Sequence, residues 1–274
     1  MAMNSDKPII WGAAAVVVAG AIALYLYAHR ERVAPTPPAS DQPVQSAASA
    51  PPPPATSAAL IEYPVAAGSA PDDQAPPALD QSDPVFLKAL SALPGAQSLE
   101  KLLVPENLIR HIVVTVDNLS RKRVAVNQRP LKPTGGPFMT VSNGDQVVIS
   151  PQNYARYQPF IEVVKAADPQ SVVRLYYHFY PLFQTAFDDL GYKDAYFNDH
   201  VIALIDQLLA TPDVAAPIAL VQPNVMYLYA DPALEALSAG QKTLIRMGPA
   251  NEALLKARLR ELKVQLLAQR REHP

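Results

Sequence analysis

Residues 196–200 read Tyr-Phe-Asn-Asp-His, and this run gathers the groups best placed to do chemistry. A hydroxyl, an amide, a carboxylate and an imidazole meet where apolar spacing predicts the start of a helix. Asn198 is expected as its capping residue, with the helix opening at Asp199. Free amides and the helix dipole at such an end favour an anion or a polar ligand. A plain capped helix with Asp199 in its first turn satisfies the same pattern. Tyr196, Asn198 and Asp199 are therefore candidate ligand- or partner-binding residues, with Arg110 and Arg246 as the cations expected to join them.

Just upstream, residues 176–197 hold nine of the chain's twenty aromatics: Tyr176, Tyr177, Phe179, Tyr180, Phe183, Phe187, Tyr192, Tyr196 and Phe197. At helical spacing aromatics read as core, the alternative being the lining of a sugar or peptide groove. Pro181 falls inside the same periodic stretch and predicts a kink, because it lacks an amide and crowds the preceding turn. A second charged feature is the basic loop of Arg121, Lys122, Arg123, Arg129 and Lys132. No acid lies between Asp117 and Asp145, so the loop is either a solvated surface or a contact for an anionic partner.

Other chemistries lack their residues. There is no cysteine, which removes disulfides, thiolate zinc sites and a cysteine nucleophile. His111, His178 and His200 have no second ligand at metal-binding spacing, so no metal and no cofactor are expected. Neither a G-x-S-x-G elbow nor a Gly-rich phosphate loop occurs. From Asp83 onward there are 20 basic and 18 acidic residues. That near-neutral balance argues against nucleic acid as a partner.

The elements that must position these residues are mostly helices. Asp83-Pro84, Ser150-Pro151, Asp168-Pro169 and Asp231-Pro232 each pair a capping side chain with proline at a first helical position. Val104-Pro105 has the proline without the cap, and Ser238 with Gln241 makes a capping box closed by Gly248. The expected helices run near 84–92, 105–119, 151–167, 169–190, 199–210, 232–237, 239–247 and 250–270. Two short hairpins are expected at 138–149, around Asn143-Gly144, and at 218–229, around Pro223-Asn224. In the last helix Leu255, Leu259, Leu262 and Leu266 keep a four-three-four spacing over barely two heptads, so it is expected to pack on its own domain. The fold class expected is mainly α, a compact helical domain with two short β-hairpins over 83–274.

Before that domain the composition changes twice. Residues 1–8 form a short tail. Residues 9–28, IIWGAAAVVVAGAIALYLYA, carry no charge, and twenty residues at about 1.5 Å each span about 30 Å of hydrocarbon. A single-pass transmembrane anchor is expected, with Trp11, Tyr25 and Tyr27 at the interfaces. Residues 29–82 read as a disordered Pro/Ala-rich linker. From Val33 to Ser82 it has twelve prolines, five acids and no Lys or Arg, too few apolar residues to build a core. Fifty such residues reach on the order of 150 Å when extended. The linker is expected to contribute nothing to the domain.

Three segments, LVPENLIRHIVVTVDNL (103–119), YPLFQTAFDDLGYKDAYFNDHVIALIDQLLATP (180–212) and ALSAGQKTLIRMGPANEALLKARLREL (236–262), resemble the proteobacterial family called domain of unknown function 3014. The resemblance implies an envelope location and carries over no catalytic residue. The charges flanking the apolar run, Lys7 against Arg30 and Arg32, lean toward a cytoplasmic C-terminus. The resemblance and the linker composition lean to the periplasm, which is the expectation adopted, with the anchor in the bacterial inner membrane. The function expected is a non-enzymatic interaction module, held at the membrane by its N-terminal helix and binding an envelope protein or a cell-wall component. The alternative is an envelope hydrolase or transferase with its site near Tyr196 and Asp199.

Overall fold

The structure is a computed structural model and describes residues 61–65, 77–122 and 128–268. The apolar run 9–28, most of the linker, Arg123 of the basic loop and the last six residues lie outside the described residues. Among the described residues no helix is long and apolar enough to cross a membrane.

The chain from Leu79 onward is mainly helical. A 3-10 turn (Leu79–Gln81) leads into α1 (Asp83–Ser91), α2 (Ala96–Leu102) and α3 (Leu108–Ser120). Strands β1 (Thr140–Asn143) and β2 (Gln146–Ile149) follow, then α4 (Gln152–Ala155), α5 (Gln158–Ala166), α6 (Pro169–His178), α7 (Tyr180–Asp189) and α8 (Phe197–Leu209). Strands β3 (Ala219–Val221) and β4 (Leu228–Tyr229) precede α9 (Pro232–Glu235), α10 (Ala239–Arg246) and α11 (Pro249–Ala268).

Helix α3 is the central element. It packs against α7, α8 and α10, and Leu108, Ile109, Ile112, Val113, Val116 and Leu119 are all buried. Its β-branched IVVTV run is a poor helix former on propensity alone, but burial on most sides outweighs those tenths of a kcal/mol per residue. The helix starts at Leu108 and not at Pro105, because Asn107 takes a left-handed φ of 50°. The turn is held from a distance: the carboxylate of Asp83 accepts the amides of Asn107 and Leu108 at 2.6 and 2.9 Å. Asp83 thus caps α3 and not its own helix.

The caps expected from purely local pairs are present at Asp168, Asp231 and the Ser238–Gln241 box. Where one helix was expected over 169–190, two are found. The proline-initiated α7 begins afresh at Tyr180, with Phe179 between the helices at φ −95° and ψ 6°, so Pro181 sits in a first turn, where its missing amide costs nothing. The stretch 151–167 divides likewise into α4 and α5. The two hairpins are not separate. Val147 pairs with Leu220 and Val148 with Ala219, joining them into one four-stranded antiparallel sheet in the order β1-β2-β3-β4. The first turn is also shifted by one residue: Asn143 pairs with Gln146, leaving Gly144-Asp145 as the loop. Gly144 alone has a positive φ, 62°, the pattern of a type II′ turn.

One main core joins the helices, and a smaller cluster of Ile149, Ile218, Leu220, Tyr229 and Ile245 lies under the sheet. Leu255, Leu259, Leu262 and Leu266 all belong to the main core, and the Tyr177 hydroxyl donates to the Leu266 carbonyl at 2.8 Å. The last helix is therefore spent on its own domain. Tyr63 and Val65, from the stretch read as linker, also pack against that core. That stretch is accordingly not a bare spacer throughout: it carries an apolar island that has a surface to bind.

Candidate functional site

The loop Gly191–Tyr196 joins α7 to α8, with Gly191 at φ 102° ending the first helix. The aromatic cluster lies mainly in the core beneath it. Phe183, Phe187 and Phe197 are buried. The Phe183 and Phe197 rings stack with centroids 5.9 Å apart, and Phe187 stacks on Tyr192 at 4.4 Å. This packing fixes α8 against α7 and sets Tyr196, Asn198 and Asp199 at the rim.

The start of α8 is not capped by Asn198. The helix opens at Phe197, so Asn198 lies within its first turn and its side chain points elsewhere. Gln184 performs the cap from the neighbouring helix. Its Oε1 accepts the Phe197 amide at 2.9 Å, while its Nε2 donates to Asp188 Oδ1 at 2.8 Å and the Ala195 carbonyl at 3.0 Å. The Tyr180 hydroxyl donates to Gln184 Oε1 at 2.9 Å and accepts the Asn198 amide at 3.3 Å. Two amides that an anion would have used are therefore already satisfied by side chains. Burial pushes the Tyr176 and Tyr180 hydroxyls far above the ordinary tyrosine value, and Tyr177 up to about 12. All three remain protonated at neutral pH.

Asn198, Asp199 and Tyr196 instead hold residues 61–65. Asp199 Oδ2 accepts the Glu62 amide at 2.9 Å and Oδ1 accepts the Tyr63 amide at 2.8 Å. Asn198 Nδ2 donates to the Tyr63 carbonyl at 2.9 Å. The Tyr196 hydroxyl accepts the Val65 amide at 2.7 Å. The three candidate residues thus grip the main chain of one short segment, 131 to 137 positions away in sequence. The same geometry leaves Asn198 Oδ1 buried without a hydrogen-bond partner.

The two candidate arginines do not join them. Arg110 pairs with Asp189 at 2.5 Å on the surface. Arg246 is 4 % exposed and lies over the Tyr229 ring, 5.3 Å from its centroid, beside the smaller core. The described residues of the basic loop have separate surroundings. Arg121 is paired with Asp117 at 2.9 Å and also donates to the Tyr192 hydroxyl, Lys122 is exposed, Arg129 is half-buried, and Lys132 donates to the Lys101 carbonyl at 3.1 Å. Next to that pair, the Tyr192 hydroxyl donates to Asp117 at 2.8 Å, and His200 Nε2 stands 3.9 Å from Asp117 Oδ1. Burial holds His200 below its ordinary value despite Asp117, with Arg121 adding to the lowering. Among the described residues no group of three or more His, Asp or Glu side chains is arranged to hold a metal ion.

Gln184 is legible in the sequence as a partner for a buried tyrosine hydroxyl, which it is for Tyr180, but sequence reasoning missed its capping role and the strap of residues 61–65. The strap had a signal: Leu60, Ile61, Tyr63 and Val65 form an apolar island within a Pro/Ala-rich stretch. A family model described as Protein of unknown function (DUF3014) matches residues 108–263, which include Gln184 and all three strap-holding residues. No curated protein and no solved structure shows significant similarity to the chain.

Proposed function

Since the chain belongs to the family described as Protein of unknown function (DUF3014), its function has to be read from its own surface, and we propose that it is a non-enzymatic interaction module of the bacterial envelope. The apolar run 9–28 anchors it in the inner membrane, the Pro/Ala-rich linker carries the domain into the periplasm, and the Tyr196–Asn198–Asp199 surface receives an envelope partner, a protein segment that presents its main chain in preference to a cell-wall component. What carries this reading is the way those three side chains hold a main chain: three amides and two carbonyls of a five-residue segment are met by three residues. Main-chain recognition of this kind provides affinity with modest sequence demands. The arginines that an envelope hydrolase would bring to Tyr196 and Asp199 are engaged elsewhere.

The test is site-specific photo-crosslinking in cells. A benzophenone amino acid replaces the exposed Ala195 beside the site, and a second replaces Val264 on α11, which is 61 % exposed. The expected result is an adduct with a defined envelope protein from position 195, lost when Asp199→Ala is added and not formed from position 264. The same adducts from both positions, or an adduct indifferent to Asp199→Ala, would overturn the reading.

A further inference from the structure

The receiving surface and the strap differ in how they are built. On the receiving side Asn198 is 1 % exposed and Tyr180 6 %, and Gln184 locks both helices together. On the strap nothing is buried: Ile61 is 54 % exposed, Glu62 and Pro64 are exposed, and Tyr63 and Val65 are half-buried. The strap lies on that surface as a ligand lies on a site. It also leaves one buried acceptor of that surface, Asn198 Oδ1, unmet.

The bonding pattern defines what else fits. The amides taken are those of Glu62, Tyr63 and Val65, and the position skipped is Pro64, which has none to give. Tyr63 and Val65 pack against the core while Glu62 and Pro64 are exposed, and the chain bends at Glu62 and Tyr63, which brings both of their amides to one carboxylate. Proline favours extended backbone in the residue before it, so the segment loses little freedom on binding. Resting on the reading of this surface as a partner site, we propose that it is a recognition groove for short segments of another protein with the pattern aromatic–proline–aliphatic that bend at the aromatic residue, and that Tyr63-Pro64-Val65 is its built-in competitor.

Competition in the same chain is strong because the connection is short. Eleven residues lie between Val65 and Pro77, and a connection of that length sets an effective concentration on the order of 1 mM. A groove that binds such a segment with a dissociation constant of about 100 μM is then closed roughly nine-tenths of the time, and a partner segment of equal intrinsic affinity sees its binding weakened about tenfold. A partner therefore succeeds by matching the motif better or by presenting it in several copies.

The probe is a fluorescein-labelled synthetic peptide with the sequence of residues 59–67, Ala-Leu-Ile-Glu-Tyr-Pro-Val-Ala-Ala, followed by anisotropy against the full-length chain in mild detergent. The chain carrying Tyr63→Ser with Val65→Ser is expected to bind the peptide about tenfold more tightly than the unmodified chain. Adding Asp199→Ala removes the binding, and a peptide with Tyr and Pro exchanged does not bind. Equal affinity for both chains, or no binding to a strap variant whose thermal melt is intact, would overturn the proposal. If the strap variant unfolds, the unmodified chain decides: millimolar unlabelled peptide should speed hydrogen exchange at its own Tyr63 amide, and no change overturns the competition. A concentration-dependent dimer lost on changing Tyr63 and Val65 would make a second copy the occupant and overturn a foreign partner. Peptide binding without the position-195 adduct keeps the groove and removes the envelope partner; the adduct without peptide exchange does the reverse.

Discussion

Asp199 takes the amide of Tyr63 on one carboxylate oxygen at 2.8 Å while the other oxygen takes the neighbouring amide of Glu62 at 2.9 Å. Two successive main-chain N–H groups aimed at one carboxylate make a geometry that a side-chain contact alone would not fix. Because both acceptor atoms are charged, each bond is of the stronger, charge-assisted kind. The arrangement turns the rim of α8 into a reader of a bent main chain, because consecutive amides of an extended chain point to opposite sides.

Gln184 is what makes that rim rigid, since it caps α8 and ties the connecting loop to α7. Gln184→Ala should lower stability by roughly 1–2 kcal/mol, the cost of leaving the Phe197 amide and the Ala195 carbonyl without partners. Urea unfolding of the variant checks it. A loss indistinguishable from zero would mean that water replaces Gln184 without penalty.

Asp83→Ala should cost on the order of 1 kcal/mol through the lost cap of α3, and Asp83→Asn less, because one acceptor oxygen remains. The discriminating readout is hydrogen exchange: the amides of Asn107 and Leu108 should speed up, while those of α1 should not. A change confined to α1 would return Asp83 to a local cap.

His200 gives the domain a pH response. Its folded value is held below the ordinary imidazole value of 6.5 by burial, with Asp117 opposing and Arg121 reinforcing the shift. His111 is shifted the same way, with burial the larger effect and Asp83 and Glu106 opposing it. Between the folded and unfolded values the unfolded chain binds more protons, so stability rises with pH there. The contribution is fully present above about pH 6.5 and is lost as the pH falls through that value toward the folded one. Urea midpoints measured at pH 7.5 and 5.5 should fall on acidification, and His200→Gln should flatten that fall. An unchanged slope in the variant would remove His200 from the account.

How far the sequence speaks depends on the distance over which each bond is made. The caps at Asp168, Asp231 and Ser238 close on residues two or three positions away, so residue type and spacing determine them. Asp83 reaches 24 and 25 positions, and Gln184 caps a helix 13 positions on. Nothing in the local pattern points to either. The same holds for the β2–β3 pairing, which merges two legible hairpins into one sheet. Helix α2 was missed because Ala96, Leu99 and Leu103 are too few to set a period. At the site, Tyr196, Asn198 and Asp199 were legible as polar groups at a helix start. Their occupant was not, because proline content hides a short apolar island and the partners lie more than 130 positions apart.

The anchor and its orientation have a separate test. An alkaline-phosphatase fusion after Ser82 should be active in cells, and a green-fluorescent fusion at the same point dark. The reverse pattern would give the decision to Arg30 and Arg32 through the positive-inside rule and place the domain in the cytoplasm.

The most direct measurement of the central claim is hydrogen exchange at the amides of Glu62, Tyr63 and Val65 in the full-length chain, with and without Asp199→Ala. Amides hydrogen-bonded to a docked surface exchange only when the segment lifts off, whereas those of α3 wait for larger openings. The account predicts slowed exchange at all three positions, roughly tenfold if the strap is closed nine-tenths of the time. It predicts that Asp199→Ala abolishes this protection while the α3 amides keep theirs. Exchange at the free-peptide rate in the unmodified chain, or protection that survives Asp199→Ala, would contradict it.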